Sequence, residues 1–477
     1  MNNFFCWLKI LDNPSREPEF CADFFTGHSM RMRFFILLAF PVIFLLPGRV
    51  GAQSWTFQQC LDTALVRNIS INQSILSKEL TQITLEQTKA SRIPSVSASM
   101  GENLSVGWNI DPTTNQYVDQ AYHSTNFAVN SSLILFNGLQ NANTIRQNKL
   151  SLQAGGYDID QAKNDVTLSI TTGYLQVLFA YEVLKTAIRQ AESTEAQVDL
   201  TEKFVNAGKL PESNLLQIKS QLATDNLSVV TAENQRDLAK VTLLQLMELP
   251  VSDSFDVFQP EFPEPAILLA QSNEQIYQKA LETQPQITSA SLKTKASQYS
   301  LRISKGARWP RLNLGASLGS NYASSRTKGT SVNPENYPFF EQMWNNLGQT
   351  VNLNLSIPIY SQRSIKSSID RASINLLSMQ LNEQNIQNQL RKSVEQAYTD
   401  LKASIKKYEA TKEQLAAAEL SYKAAEQKYN VGLMHATDFL IEKNSYFQAQ
   451  SNLIQVKYET IFRKKILDFY QGIPITF

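Results

Sequence analysis

The 477-residue chain has 44 basic and 43 acidic residues, a formal net charge of +1, and only 18% charged side chains. A balance this close to zero excludes the strong electrostatic pull on which nucleic-acid binding rests, so no nucleic-acid partner is expected. A polar but weakly charged surface suits a wall that faces water or a wide pore.

The chain opens with a segment that reads as an export signal. Arg31-Met-Arg33 is a basic stretch, Phe34–Leu46 is apolar, and Val50-Gly51-Ala52 places small residues at a cleavage site, so cleavage is expected after Ala52. The apolar run is too short and Pro-interrupted to span a bilayer as a helix. The residues before Met30 do not fit a signal, and Met30 or Met32 is the expected start. Cleavage would remove Cys6 and Cys21 and leave Cys60, which cannot form an internal disulfide. Gln53 rather than Cys follows the cut, so no lipid anchor is expected there. No later apolar run reaches the ~20 residues of a spanning helix, so any crossing of a membrane must use strands.

The rest of the chain is a duplication. Shifted by 216 positions, Ala64 falls on Ala280, Leu85 on Leu301, Arg92 on Arg308 and Pro94 on Pro310. Shifted by 224, Phe136 falls on Tyr360, Tyr174 on Tyr398, Gly208 on Gly432 and Pro250 on Pro474. The change of offset places eight extra residues in the second copy, between Pro310 and Tyr360. The expected organisation is an N-terminal extension and signal over 1–52, a first repeat over 53–250, a linker over 251–272 and a second repeat over 273–477.

Each copy begins with a predicted helix, Thr56–Lys89 and Asn273–Lys305. Two strands follow: Ser95–Trp108 with Phe127–Phe136, then Arg311–Tyr322 with Gln349–Tyr360. A very long helix runs over Leu139–Asn206 and Ser364–Asn430. A break at Gly208 or Gly432 leads to a last helix ending near Glu248 and Tyr470.

The strands alternate. Val96, Ala98, Met100, Leu104, Val106 and Trp108 share one face, with Glu102 the exception. The same face is expected to hold Phe127, Val129, Leu133 and Leu135; Leu312, Leu314, Ala316, Leu318 and Tyr322; and Val351, Leu353, Leu355, Ile357 and Ile359. Opposite them stand small polar residues such as Ser97, Asn130, Asn313 and Asn352. Soluble strands average ~5–6 residues, whereas a tilted bilayer-spanning strand needs ~9–11. An apolar outside and a small polar inside fit a water-filled barrel. Four strands cannot close one without leaving open edges in lipid, so the chain must associate with copies of itself.

The long helices carry heptads. Val394, Leu401, Tyr408, Leu415, Tyr422 and Tyr429 recur every seven residues beside the small stripe Ala397, Ser404, Thr411, Ala418 and Ala425. The first copy repeats both, as Ile170, Val177, Leu184, Ala191, Val198 and Val205 beside Gly173, Ala180, Ala187, Thr194 and Thr201. This period gives left-handed coiled-coil packing, and such a helix would be ~100 Å long.

Arg92-Ile-Pro94, Arg308-Trp-Pro310, Leu135-Phe-Asn-Gly138, Ile357-Pro-Ile-Tyr360 and Tyr429-Asn-Val-Gly-Leu433 with Asp438, in this order within a duplicated frame, resemble the TolC-like outer-membrane efflux proteins. The resemblance covers the chain from about Gln53 onward. It implies an α+β membrane protein and a homotrimer. Four strands per protomer would build a twelve-stranded transmembrane β-barrel in outer-membrane lipid, and the long coiled-coil helices an α-barrel tunnel in the periplasm. It further implies docking of a periplasmic adaptor that links the channel to an inner-membrane RND or ABC pump. The docking tips would be Ala207, Gly208, Lys209 and Leu210, and Val431, Gly432, Leu433 and Met434. Asp438 stands where many relatives carry an acidic residue, and three copies would make it a carboxylate ring favouring cations. Asn214 takes the related place in the first copy. Ile441 stands where a second gate Asp can lie, with Glu442 adjacent but turned ~100° away on a helix.

No chemistry-bearing constellation competes with this reading. His28, His123 and His435 form no metal-ligand cluster, and His123 is expected in the first strand-connecting loop. No phosphate-cradling loop or nucleophile elbow is present, and Cys60 reads as a packing residue. Neither catalysis nor a cofactor is assigned, and transport would be passive, driven by a partner. The alternative, a soluble periplasmic coiled-coil adaptor or structural protein, would keep the signal and the heptads without needing four amphipathic strands.

Overall fold

A computed structural model describes residues 54–477 apart from 111–114, 120, 253, 261, 263, 265–270 and 331–332. The export signal, its expected cleavage after Ala52, and His28 lie outside the described residues. β1 (Ser54–Trp55) leads into α1 (Phe57–Arg67) and α2 (Ile69–Ala90). β2 (Ser95–Ser105), β3 (Trp108–Ile110), β4 (Tyr117–Asp119) and β5 (Tyr122–Asn137) follow, then α3 (Gln140–Asn206) and α4 (Glu212–Leu246). β6 (Asp256–Val257) lies in the linker. The second copy is α5 (Asn273–Thr283), α6 (Pro285–Gly306), β7 (Arg311–Ala323), β8 (Thr327–Thr330), β9 (Asn333–Asn336), α7 (Phe339–Asn345), β10 (Gly348–Ser356), α8 (Ser364–Asn430) and α9 (Ala436–Tyr470).

The first helix of each copy starts as its sequence dictates and breaks where one continuous helix was expected. Thr56 with Gln59, and Ser272 with Gln275, form capping boxes one offset of 216 apart. The break falls at Asn68 in one copy and Gln284 in the other, again 216 apart. Asn68 leaves helical geometry (ψ 127°), and its carboxamide oxygen accepts the amides of Ser70 and Ile71, which starts α2 afresh. Gln284 is held extended by Pro285, the first residue of α6. Two different local devices thus break the two helices at the same place.

β10, β7, β5 and β2 form one antiparallel sheet in that order. Its register puts Ala98 opposite Val129, Met100 opposite Phe127, Leu133 opposite Leu314 and Leu314 opposite Leu353, so the apolar residues share one face as expected. Three details differ from the sequence reading. A bulge shifts the β5–β7 register between Ile134 and Phe136, so Phe136 rather than Leu135 pairs with Leu312 and joins the apolar face. β2 ends at Ser105, ahead of Gly107 with φ +108°, and β10 ends at Ser356, ahead of Pro358, which has no N–H for a ladder. β5 starts earlier than expected, because β2 and β7 pair it on both sides; His123 therefore lies in a strand opposite Leu104, not in a loop.

The helices pack side by side as a layer. In the half next to the sheet, α2 packs on α3, α3 on α6 and α6 on α8; in the far half, α4 packs on α3, α3 on α9 and α9 on α8. The heptad stripes are the seams: Ile170, Val177, Leu184, Val394, Leu401 and Tyr429 are buried. Where helices meet strands, the α6–β7 and β5–α3 junctions cross at two glycines. A Cβ on Gly306 would lie 2.6 Å from the Gly138 carbonyl oxygen, and one on Gly138 would lie 2.2 Å from that of Gly306.

The linker is a strap across the waist. β6 pairs in parallel with β1, Tyr174 donates its hydroxyl to the Phe258 carbonyl at 2.6 Å, and Lys457 donates to the Phe262 carbonyl at 2.9 Å. Asp256 accepts from the Tyr181 hydroxyl at 2.5 Å, and Glu264 pairs with Lys412 at 2.6 Å. Beneath it lies a core that includes Phe57, Cys60, Ile170, Tyr174, Leu243 and Phe255.

Candidate functional site

The two hairpin tips are built by one device. Asn206 ends α3, and Gly208 adopts φ +69°; Lys209 N–H then reaches the Phe204 carbonyl and Gly208 N–H that of Val205. After α8, Gly432 adopts φ +77°, Leu433 N–H reaches the Lys428 carbonyl and Gly432 N–H that of Tyr429. These are Schellman closures, which need a left-handed residue and so favour glycine. Ala207, Gly208 and Lys209, and Val431, Gly432 and Leu433, are exposed, while Leu210 and Met434 are half-buried.

Both tips lie side by side at the end of the helices remote from the sheet. Thr437 on α9 donates to Gln217 on α4 at 3.4 Å, and the hydroxyls of Thr201 and Tyr429 meet at 2.9 Å. Val198, Leu215, Ile218, Ala425, Tyr429, Ala436 and Phe439 pack into one core beneath the tips. Of the gate candidates, Asp438 is exposed in the first turn of α9. Asn214 is half-buried in the first turn of α4, at the equivalent place. Glu442 is engaged within its own hairpin, its carboxylate accepting the Ser421 hydroxyl at 2.6 Å.

A buried charged cluster above the tips was not foreseen from the sequence. Lys443 on α9 and Asp225 on α4 are each 1% exposed. Lys443 donates to the Thr194 hydroxyl on α3 at 2.7 Å; Asp225 accepts from Thr194 and, at 2.9 Å each, from Gln190 and Gln221. Burial lowers the Lys443 pKa to about 8, against the opposing pull of Asp225 and Glu426. The available signal was a lysine four residues after Phe439 on a helix face otherwise apolar. Cys60 is fully buried, and burial pushes its thiol up to about 12. Among the described residues no group of three or more His, Cys, Asp or Glu could hold a metal ion, and no helix is long and apolar enough to cross a membrane.

The edges of the layer are unpartnered. β2 and β10 each have one edge that pairs with no described strand. The apolar face is open, with Val96 71% and Val351 75% exposed. The edge helices carry apolar seams: Leu76, Leu80 and Ile83 on α2, and Ile374, Leu377 and Leu381 on α8, all exposed at heptad spacing.

Comparison with known proteins agrees with this geometry. The family model for the outer membrane efflux protein matches residues 60–248 and again 276–464, the two copies of the duplication. Outer membrane protein TolC of Escherichia coli is 25% identical over 329 residues, 67% of this chain; the match spans 64% of that relative, just under two thirds. In fold, the chain resembles the outer membrane protein VceC of Vibrio cholerae, with a TM-score of 0.73 and 16% identity over 88% of this chain and 97% of that one. It also resembles the Campylobacter jejuni CmeC outer membrane channel, with a TM-score of 0.71 and 18% identity over 87% of this chain and 85% of that one. Two matched repeats, a sheet with one apolar face and two long antiparallel helical hairpins lead to one assignment: the chain belongs to the outer membrane efflux protein family.

Proposed function

We infer that this chain is one protomer of a homotrimeric outer-membrane efflux channel, a passive conduit in a tripartite efflux or type I secretion system. The observation that carries the reading is the sheet: four amphipathic strands with an apolar outer face and two open edges. In lipid those edges must be paired, and a second copy supplies the complementary edge at each side. The exposed seams of α2 and α8 lie on the same two sides of the protomer, so one rotation satisfies strands and helices together. Three copies give twelve strands, with the polar faces of Ser97, Asn130, Asn313 and Asn352 lining the lumen.

The helical tips face the periplasm in this reading, and the turns 207–210 and 431–434 dock a periplasmic adaptor that connects the channel to an RND or ABC pump in the inner membrane. The open turns suit such docking: Val431 and Leu433 are apolar and exposed. Three copies of Asp438 form an acidic ring at this end, and Asn214 keeps the first-repeat tip neutral. The channel performs no chemistry; the pump supplies the driving force.

Membrane fractionation with native mass measurement tests the reading. A trimer recovered from the outer membrane in detergent is the expected result. A monomer in the soluble periplasmic fraction would favour the coiled-coil adaptor instead and sink the channel.

A further inference from the structure

The second-copy loop between β7 and β10 is the longer of the two, and the structure uses it to build a clamp. The carboxamide of Gln342, fully buried in α7, accepts the Ala323 amide at 2.6 Å and donates to the Ala323 carbonyl at 3.1 Å. It pairs with β7 beyond Gly319, where β10 has ended, and so stands in for a missing strand residue. Asn346 donates to the Asn321 carbonyl at 2.6 Å, Ser320 donates to the Met343 carbonyl, and the Phe339 ring meets Tyr322 at 4.9 Å. Ser320 and Tyr322 share the face of Leu314 and Leu318, so α7 sits on the apolar side of the sheet, at the end remote from the helices. The clamped side uses Phe339, Gln342 and Met343. Phe340 and Trp344, one turn apart on the other side, are 84% and 77% exposed.

We propose that α7 is an interfacial anchor, holding Phe340 and Trp344 in the headgroup–acyl boundary of the outer leaflet. The inference rests on the outer-membrane reading above. Its support is position. From Arg311 to Tyr322 β7 runs about 36 Å at ~3.3 Å per residue, or about 28 Å of height at a barrel tilt of ~40°. That matches an apolar band of ~25 Å, at whose borders Trp and other aromatic side chains concentrate. Trp309, 64% exposed, stands at the base of the same strand and marks the inner border; Trp344 marks the outer one. The patch is continuous with the apolar face of the sheet, and the Gln342 clamp prevents α7 from rolling its aromatics inward.

The test is tryptophan fluorescence of the purified trimer in phosphatidylcholine vesicles. Emission is compared among the unmodified protein, Trp344→Ala and Trp309→Ala, with acrylamide in the water or with lipids brominated near the carbonyl or near the chain end. The emission lost in Trp344→Ala should be shielded from acrylamide and quenched most strongly by bromine near the carbonyl. Emission open to acrylamide and insensitive to bromine would overturn the anchor, because Trp344 would then stand in water. Emission shielded from both would overturn it too, placing Trp344 against another protomer. The Trp309 component separates the two readings: if bromolipid quenches Trp309 but not Trp344, only the anchor fails, and if it quenches neither, the membrane reading fails.

Discussion

Lys443 of the second repeat and Asp225 of the first are both buried, and Thr194 hydrogen-bonds to each of them. This ties α9 to α3 and α4 just above the tips. Opposite buried charges are a poor source of net stability, yet removing Asp225 would leave the Lys443 ammonium buried without the carboxylate that opposes its desolvation, at a cost of about 3–5 kcal/mol. Asp225→Leu should therefore lower the urea midpoint clearly, and Asp225→Leu with Lys443→Met should recover much of the loss. Equal losses in the single and double variants would show that the two groups are not coupled.

The same lysine gives stability a pH dependence. Its pKa is about 8 in the fold against 10.5 when unfolded. Between those values the unfolded chain holds the extra proton, so this group favours folding increasingly as pH rises from about 8 to 10.5, by up to roughly 3 kcal/mol. Below about 8 the full cost of the buried charge is present. The difference in urea midpoint between the unmodified protein and Lys443→Met should change over that window; a flat difference would place Lys443 in water.

The crossing of Gly138 and Gly306 should tolerate no side chain. An added Cβ at 306 meets backbone oxygen at 2.6 Å, so the junction itself must move, and Gly306→Ala is expected to cost about 1–3 kcal/mol. Trimer melting on a semi-native gel reads this out. An unchanged melting temperature would mean that the junction opens without penalty.

Leu377 on α8 is exposed in the protomer and would be covered in the trimer. Leu377→Glu should shift the purified protein from trimer to monomer in analytical ultracentrifugation, because a charge would replace an apolar seam contact. Glu at Leu420, further along α8 and also exposed, reports whether the seam continues toward the tips.

Asp438→Asn should reduce cation selectivity in single-channel recordings, since it removes the proposed carboxylate ring. Glu442→Gln should do less, because Glu442 is held by Ser421. Identical selectivity in Asp438→Asn and the unmodified protein would remove Asp438 from the gate.

Cys60 is buried with its thiol pKa pushed up to about 12, so maleimide should label the folded protein poorly. Denatured mature chain should take up one label. Labelling at three sites would show that Cys6 and Cys21 remain and that the leader is retained.

The duplication, the two hydrophobic periods and the glycine reversals at Gly208 and Gly432 are legible in the residues alone. These are local or periodic signals: a strand shows its faces at every second residue, a coiled coil its seam every seventh, and a left-handed turn its glycine. Even the breaks at Asn68 and Gln284 left traces, a capping Asn and a Pro, that the apolar continuity on either side concealed. It took the packed chain to show that Phe136 pairs with Leu312 across a bulge, that Lys443 is buried, that the linker straps the waist through Tyr174 and Lys457, and that Gln342 stands in for a strand residue. Each depends on a partner tens to hundreds of residues away. A polar side chain looks the same in sequence whether it meets water or the one buried group that satisfies it, and only packing distinguishes the two.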